Sequence, residues 1–346
     1  MGKSDLKLSV LDQSPVYDSE TDAEALQHTI ELAQKAEAWG SYRFWVTEHH
    51  GSNRIMGSSP EVLVSHLLAK TDRIRVGSGG VMLQHYSPFK VAENFNVLAS
   101  LAPGRVDLGI GRGPGGLPQS TAALRSDSRP PDATEGAKPF LEKVLDLEKF
   151  LHNRLEETHP HHGLRVSPTP PQAPNLFLLG TTPSSGEMAG SLGMPYIFAL
   201  FLNSDESVMW EAVKTYRSGF NGKNGAQPRA MLALPVIVAD SDDEAAGYAS
   251  EIHVVRILLE SGRSFTVFSV EAAEEFGSQS GESFTYDVLP SNVINGSPNT
   301  VRERLCGIQS EYQVDEIFVV TTINDFQKRL HSYELLSREF NLVRRD

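Results

Sequence analysis

The sequence predicts a (β/α)8 barrel, the TIM-barrel class, with rim insertions. Three observations predict it. Eight short apolar runs rich in β-branched residues alternate with longer amphipathic runs along 346 residues, which suits eight β/α units plus insertions. The short runs are apolar on both faces, as strands buried within a parallel sheet must be. Glycine, histidine and hydroxyl motifs follow several different strands. A doubly wound open sheet would place one glycine-rich turn after its first strand, and here that turn reads LDQSPVYDS.

The first strand, Leu8–Leu11, runs into Asp12, Gln13 and Ser14, which either line the barrel mouth or start the turn at Ser14-Pro15. Asp22–Trp39 places Ala25, Ile30, Leu32, Ala33 and Ala36 at helical spacing. The second strand, Arg43–Val46, leads into Glu48, His49 and His50. Adjacent side chains on an extended segment point in opposite directions, so at most one of the two histidines is expected to face the mouth. There it would act as a general acid/base, with Glu48 as its orienter or as a separate ligand contact. Metal binding competes with that reading, but no HxH, HExxH or cysteine set completes a ligand group.

Ser59–Lys70 opens with an N-cap serine followed by proline, a helix start. The third strand, Ile74–Leu83, holds Gly77, Gly79 and Gly80. Glycines weaken a strand unless something approaches the backbone closely, which a flat ring would do; the alternative is a bulge at a barrel corner. Helix Pro88–Leu101 carries Glu93, expected in solvent. The fourth strand, Arg105–Gly109 or on to Ile110, delivers GRGPGG and its arginine, Arg112, to a strand end where barrels bind ligands. A guanidinium fork beside bare backbone N–H groups suits a phosphate; the alternative is a simple turn.

Gly136–His152 reads as helix. The fifth strand, Asn175–Leu179, is followed by Thr181, Thr182, Ser184 and Ser185, with the helix Ser184–Leu192 starting among them. Hydroxyls beside free N–H groups at a helix N-terminus form an anion site or merely cap the helix. With Arg112 one strand away, two phosphate-compatible features face one cavity. Then come strand Tyr196–Leu200, helix Asp205–Ser218, strand Met231–Val238, helix Asp242–Leu259, helix Pro298–Gln313, strand Glu316–Thr321 and helix Asp325–Phe340. Arg125–Glu135 and His152–Pro174 break the alternation and read as exposed rim loops; the second holds His159, His161 and His162, read as solvated. Ser261–Pro290 is the longest irregular stretch and the candidate lid of what reads as one domain spanning residues 1–346.

The chain carries 31 basic and 44 acidic residues, a net charge of -13, which disfavours nucleic acid or an anionic membrane as partner. No apolar run approaches the length of a membrane span, and the N-terminus lacks a signal-peptide pattern. A cytoplasmic, soluble protein is expected. The single cysteine, Cys306, excludes an intrachain disulfide and reads as core packing.

The segments KLSVLDQSP, WVTEHH, SSPEVL, VGSGGVML, APGRVDLGIGRGPG, LLGTTPSS and NGSPNTVRERL together resemble the bacterial luciferase-like flavin-dependent monooxygenases, over residues 7 to about 336. The resemblance implies FMN, taken up reduced from a separate flavin reductase, at the C-terminal mouth. O2 would add to it to give a peroxide or hydroperoxide that oxygenates a mainly apolar organic substrate. By matching position, Arg112, Thr182 and Ser185 form the phosphate clamp, assisted by Thr181 and Ser184. Gly79, Gly80 and Val81 lie against the flavin ring, with a cis peptide at Gly80–Val81. His49 matches the catalytic histidine, and Glu48 and Glu93 match carboxylates near the site. The lid is Ser261–Pro290, and a homodimer forms through Ser59–Lys70 and Pro88–Leu101. Two departures stand out. Gly111 occupies the position of luciferase's active-site cysteine, and the sixth strand reads FALFLN where relatives often carry histidines. A flavin-storage protein without catalysis, a deazaflavin-dependent oxidoreductase and a metal-dependent hydrolase are the competing readings; no metal site is expected.

Overall fold

The computed structural model describes residues 6–125, 139–222 and 225–342. Along the chain come β1 (Lys7–Asp12), α1 (Asp22–Trp39), β2 (Arg43–Val46), α2 (Pro60–Lys70), β3 (Arg75–Met82), α3 (Pro88–Leu101), β4 (Val106–Gly111), α4 (Pro118–Arg125) and α5 (Phe140–Leu151). Next are β5 (Asn175–Gly180), α6 (Pro183–Leu192), β6 (Tyr196–Ala199), α7 (Glu206–Ser218), β7 (Ala230–Val238) and α8 (Asp242–Ser250). The remainder is β8 (His253–Leu259), β9 (Ser264–Val267), α9 (Val270–Ser280), β10 (Phe284–Pro290), β11 (Ile294–Gly296), α10 (Pro298–Tyr312), β12 (Glu316–Val320) and α11 (Phe326–Glu339).

Strands β1 to β7 pair in chain order, all parallel, and β12 closes the ring by pairing with β7 on one side and β1 on the other. The result is the expected closed (β/α)8 barrel. Strand alternation divides its side chains into two cores. Val10, Phe44 and Val46 point outward to the helices. Leu11, Trp45, Phe177, Ile197, Met231 and Phe318 point inward and fill the barrel. At the N-terminal end the filling is ionic: Arg43 Nε reaches Glu316 at 2.7 Å and its Nη1 reaches Asp107 at 2.5 Å. Arg75 and Arg229 neutralise the remaining carboxylate oxygens. A buried carboxylate persists only when so paired, and the network plugs the end opposite the mouth.

Two expectations are corrected. The helix starting at Asp242 ends at Ser250, and residues 253–259 form strand β8. Val255, Ile257 and Leu259 are buried while Arg256 and Leu258 are exposed, a period of two that no helix satisfies. The supposedly irregular stretch 261–290 is ordered as β9, α9 and β10, which form with β8 an antiparallel sheet in the order β10-β8-β9. Ser269 caps α9 by accepting from Ala272 N–H at 3.1 Å. Helix α4 was not anticipated. Residues 126–135 of the first rim loop, and 136–138 of the helix expected from Gly136, lie outside the described residues; α5 is described from Phe140. No helix among the described residues is long and apolar enough to cross a membrane.

Candidate active site

The C-terminal ends of the barrel strands meet in one mouth, and the end of β2 shows how alternation sorts its residues. Thr47 Oγ1 lies 3.0 Å from His49 Nδ1, and Glu48 Oε1 lies 2.8 Å from His50 Nε2. Side chains two positions apart meet and neighbours diverge, as on any extended segment. Trp45 points into the barrel, so Thr47 and His49 share the mouth side. Glu48 and His50 turn to the other side. There the fully buried Glu48 carboxylate accepts from Tyr86 OH at 2.8 Å and from Met82 N–H at 3.0 Å. Burial, then the Glu48 charge, pushes the Tyr86 phenol upward, so it stays a donor. Burial, helped by the neighbouring His50, lowers the His49 imidazole to about 4; it is neutral near pH 7 and offers a lone pair.

The loop after β4 lies against β3. Met82 Sδ would sit 3.6 Å from a Cβ placed on Gly111, so that position has room for a small side chain. Arg112 is exposed and makes no side-chain hydrogen bond or ion pair among the described residues. The loop is held from outside: Gln84 Nε2 donates to Gly113 O at 2.7 Å, and His50 N–H donates to Gly115 O at 2.7 Å. The sheet of β8 to β10 docks on the same loop. Leu117 packs into its apolar core, and Gln119 N–H donates to Gln279 Oε1 at 3.2 Å.

At the next strand end, Thr182 is the N-cap of α6, accepting from Ser185 N–H at 3.3 Å, and Ser184 Oγ lies 3.0 Å from Thr182 Oγ1. Ser185 Oγ also donates to Thr182 O at 2.6 Å, with Tyr196 OH 2.8 Å away. Capping is therefore realised. The hydroxyls still sit at the positive end of a helix dipole, one strand from Arg112, which is the setting for an anion.

The β3 glycines answer first to the protein. The β3–β4 register shifts between Ser78 and Val81, a bulge. A Cβ on Gly80 would lie 2.8 Å from Gly109 C and O, and one on Gly79 would lie 2.5 Å from Leu11 Cδ1. The cis peptide is Gly79–Gly80, not Gly80–Val81; it falls inside the bulge, whereas Val81 has rejoined the ladder opposite Ile110. Glu93 lies on α3, paired with Lys90 at 3.3 Å, and makes no side-chain hydrogen bond to the mouth residues among the described residues. Asp12 turns outward to Arg329 at 2.7 Å. His159 pairs with Asp146 at 3.2 Å in the loop between α5 and β5, at the barrel end opposite the mouth. No group of three potential metal ligands occurs among the described residues.

Residues 7–312 match the family model of the luciferase-like monooxygenases. The chain belongs to this family. An N-acetyl-S-alkylcysteine monooxygenase of Bacillus subtilis is 39% identical over 332 residues, covering 96% of this chain and 97% of its own. Among solved structures, apo-MsnO8 superposes with a TM-score of 0.78 at 36% identity, over 98% of this chain and 100% of the other. The oxygenating constituent of 3,6-diketocamphane monooxygenase from Pseudomonas putida, solved with FMN, shares the fold at a TM-score of 0.69 and 18% identity, over 97% and 98% of the two chains. Membership makes the chain an oxidoreductase of the monooxygenase kind.

One residue of this luciferase-like monooxygenase, Tyr86, escaped the sequence reading, and one, Gln13, was left there between the mouth and a turn. Tyr86 completes the Glu48 cluster from the short turn after β3, where it sits 38 positions away in sequence. Gln13 is 8% exposed, and its Nε2 has no hydrogen-bond partner among the described residues. Only the inward alternation from Leu11 pointed to it, and the sequence left that alternation open against a turn.

Proposed function

We propose that the protein is a monooxygenase using reduced FMN, supplied by a separate flavin reductase, and O2 to oxygenate a mainly apolar organic substrate. The observation that carries this reading is the gathering at one mouth of a guanidinium unpaired among the described residues, a hydroxyl-lined helix N-terminus and a histidine held by Thr47. The residues fit the cofactor. Arg112 and the Thr181, Thr182, Ser184 and Ser185 cluster take the phosphate, and the Gly79–Val81 bulge borders the ring. The orphaned Gln13 amide leaves a polar contact for a bound molecule.

Reduced flavin supplies the activation of O2 that no amino-acid side chain provides. The chain's own part is placement, proton handling and exclusion of water. Thr47 Oγ1 holds His49 at Nδ1, leaving Nε2 to take or return a proton at the mouth. Glu48 acts behind β2 by fixing Tyr86, Met82 and His50. The sheet of β8 to β10, docked on the loop that bears Arg112, serves as the lid that keeps water from the reacting centre. Glu93, on the outer face of α3, contributes at most from a distance. The name of the Bacillus relative puts S-alkylated N-acetylcysteines first among substrates to try. The protein works in the cytoplasm as a homodimer through α2 and α3, supported by the exposed Val62 and Leu101 on those helices.

The test is anaerobic mixing with reduced FMN followed by oxygen, watching flavin absorbance. Reoxidation slower than that of free flavin, with an intermediate spectrum, is expected. Reoxidation at the free rate overturns the reading and favours flavin storage or a deazaflavin.

A further inference from the structure

We infer that Gln13 reads the molecule seated in the mouth: its side-chain amide donates a hydrogen bond to a carbonyl-type oxygen of that molecule. The inference rests on the proposed function for the identity of the occupant, and on the following geometry for the contact.

Direction comes from strand alternation. Leu11 packs inward against Trp45 and Phe318. Asp12 points outward, accepting from Arg329 at 2.7 Å and from Thr29 Oγ1 at 2.6 Å. Gln13, one further along, returns to the inward side, one layer above Leu11 at the mouth end. The neighbouring strand end is that of Thr47 and His49, joined to it by Thr47 N–H donating to Asp12 O at 3.0 Å. Gln13 therefore stands beside the histidine assigned to proton handling. Across the eight-strand ring it faces β5, whose end carries the hydroxyl cluster.

The need for a partner comes from satisfaction. The polar side chains nearest to Gln13 in the strand ends are engaged. Ser14 Oγ is 2.9 Å from Thr29 Oγ1, Thr47 meets His49, and Thr321 Oγ1 donates to Val236 O at 2.9 Å. The layer beneath is hydrocarbon: Leu11, Val320, Phe318 and Trp45. The Gln13 amide, more than nine-tenths buried, has an N–H group with no acceptor among the described residues. A buried donor without an acceptor costs stability that a leucine of similar size would spare. A site that instead offers this donor to a bound oxygen gains affinity and discriminates against ligands lacking that oxygen. Two sources carry such an oxygen: the flavin ring, through its carbonyls, and an organic substrate with an amide or carboxylate.

The experiment uses the full chain and the variants Gln13→Leu and Gln13→Asn. Three quantities are measured: the melting temperature without ligand, the Kd for reduced FMN under anaerobic conditions, and the Kd for N-acetyl-S-methylcysteine by calorimetry. Gln13→Leu is expected to melt at or above the wild-type temperature and to bind one of the two probes about five- to tenfold more weakly, the worth of one hydrogen bond. Gln13→Asn, which withdraws the donor by one carbon, shows the same loss. Weakened FMN binding assigns the partner to the flavin ring, and weakened thioether binding assigns it to the substrate. Wild-type affinities for both probes in both variants overturn the inference, as does a melting temperature several degrees lower in Gln13→Leu, which would reveal a protein partner. Wild-type protein that binds the thioether but not reduced FMN sinks the flavin reading alone, and the thioether arm then decides the inference. Wild-type protein that binds neither removes both.

Discussion

Glu48 Oε1 lies 2.8 Å from His50 Nε2, on the side of the β2 extension away from His49. The two residues expected to act together, Glu48 and His49, thus serve different neighbours. Glu48 also takes Tyr86 OH and Met82 N–H, and so ties the end of β2 to the end of β3 and the turn that follows it. Removing a buried carboxylate strands all three donors at once. Glu48→Ala is therefore expected to destabilise the fold by about 3 kcal/mol, and Tyr86→Phe, which deletes one hydroxyl, by about 1 kcal/mol. Urea unfolding measures both; wild-type stability in Glu48→Ala would show that Glu48 is not a brace.

His49 gives the proton-handling prediction and a pH signature. His49→Ala keeps reduced-FMN affinity within about twofold, because no phosphate contact is lost, while substrate-dependent oxygen uptake falls by about a hundredfold, the usual worth of a general acid/base. Unchanged turnover would remove it from the mechanism. The folded imidazole titrates at about 4, below its ordinary 6.5. Between those values the unfolded chain binds the extra proton, so stability rises with pH across that window and is lost as pH falls through it. The difference in stability between wild type and His49→Asn should narrow below pH 4.5 relative to pH 7.

Much of this was legible from the sequence. The eight barrel strands were found within one or two residues of their ends because each is a short, doubly buried run bounded by turn residues. The segment His253–Leu259 reads as helix and is a strand. Its apolar residues directly continue the helix Asp242–Ser250 and fit helical and alternating spacing alike until partners are known, and only pairing with β9 and β10 decides. The EHH segment could be divided into an inward and an outward set by alternation. Which set held His49 required knowing that Trp45 points inward. Glu48's true partners, Tyr86 and Met82, come from a different β/α unit, and single-strand periodicity carries no information across units.

Arg112 tests the anion reading with a clean control. The guanidinium contacts no protein acceptor among the described residues, so Arg112→Ala should leave urea unfolding unchanged. One lost charge-assisted hydrogen bond weakens FMN binding about ten- to a hundredfold. Riboflavin, which lacks the phosphate, should bind both proteins alike. Equal losses for FMN and riboflavin would mean that Arg112 does not read the phosphate.

Two glycines of adjacent strands should behave oppositely. A Cβ on Gly80 meets the Gly109 carbonyl carbon and oxygen at 2.8 Å and Ile110 N at 2.9 Å. Those are backbone atoms of a paired strand, which move only with the barrel. Gly80→Ala is expected to cost about 2–3 kcal/mol, the range of an overpacked core. A Cβ on Gly111 meets only Met82 Sδ, at 3.6 Å, and Gly111→Ala should unfold at the wild-type urea concentration. Equal stabilities in the two variants would show that the β3–β4 contact relaxes more readily than its geometry implies.

The last prediction concerns assembly. Val62 on α2 is 67% exposed and Leu101 on α3 is 72% exposed, with Val97 one helical turn before Leu101 also exposed. Single exposed hydrophobics are ordinary, so Val62, in the first turn of α2, and Val97 and Leu101, in the last turns of α3, mark the two helices proposed to meet a second copy of the chain without forming one continuous patch. Sedimentation velocity at micromolar concentration should give a dimer. The double variant Val62→Glu, Leu101→Glu places like charges opposite one another across a twofold interface and should sediment as a monomer with an unchanged far-ultraviolet spectrum. Its flavin affinity separates two further cases. Unchanged affinity means that each mouth is complete within one chain, whereas a loss on dissociation means that the outer face of α3, where Glu93 sits, is coupled to the site through the partner.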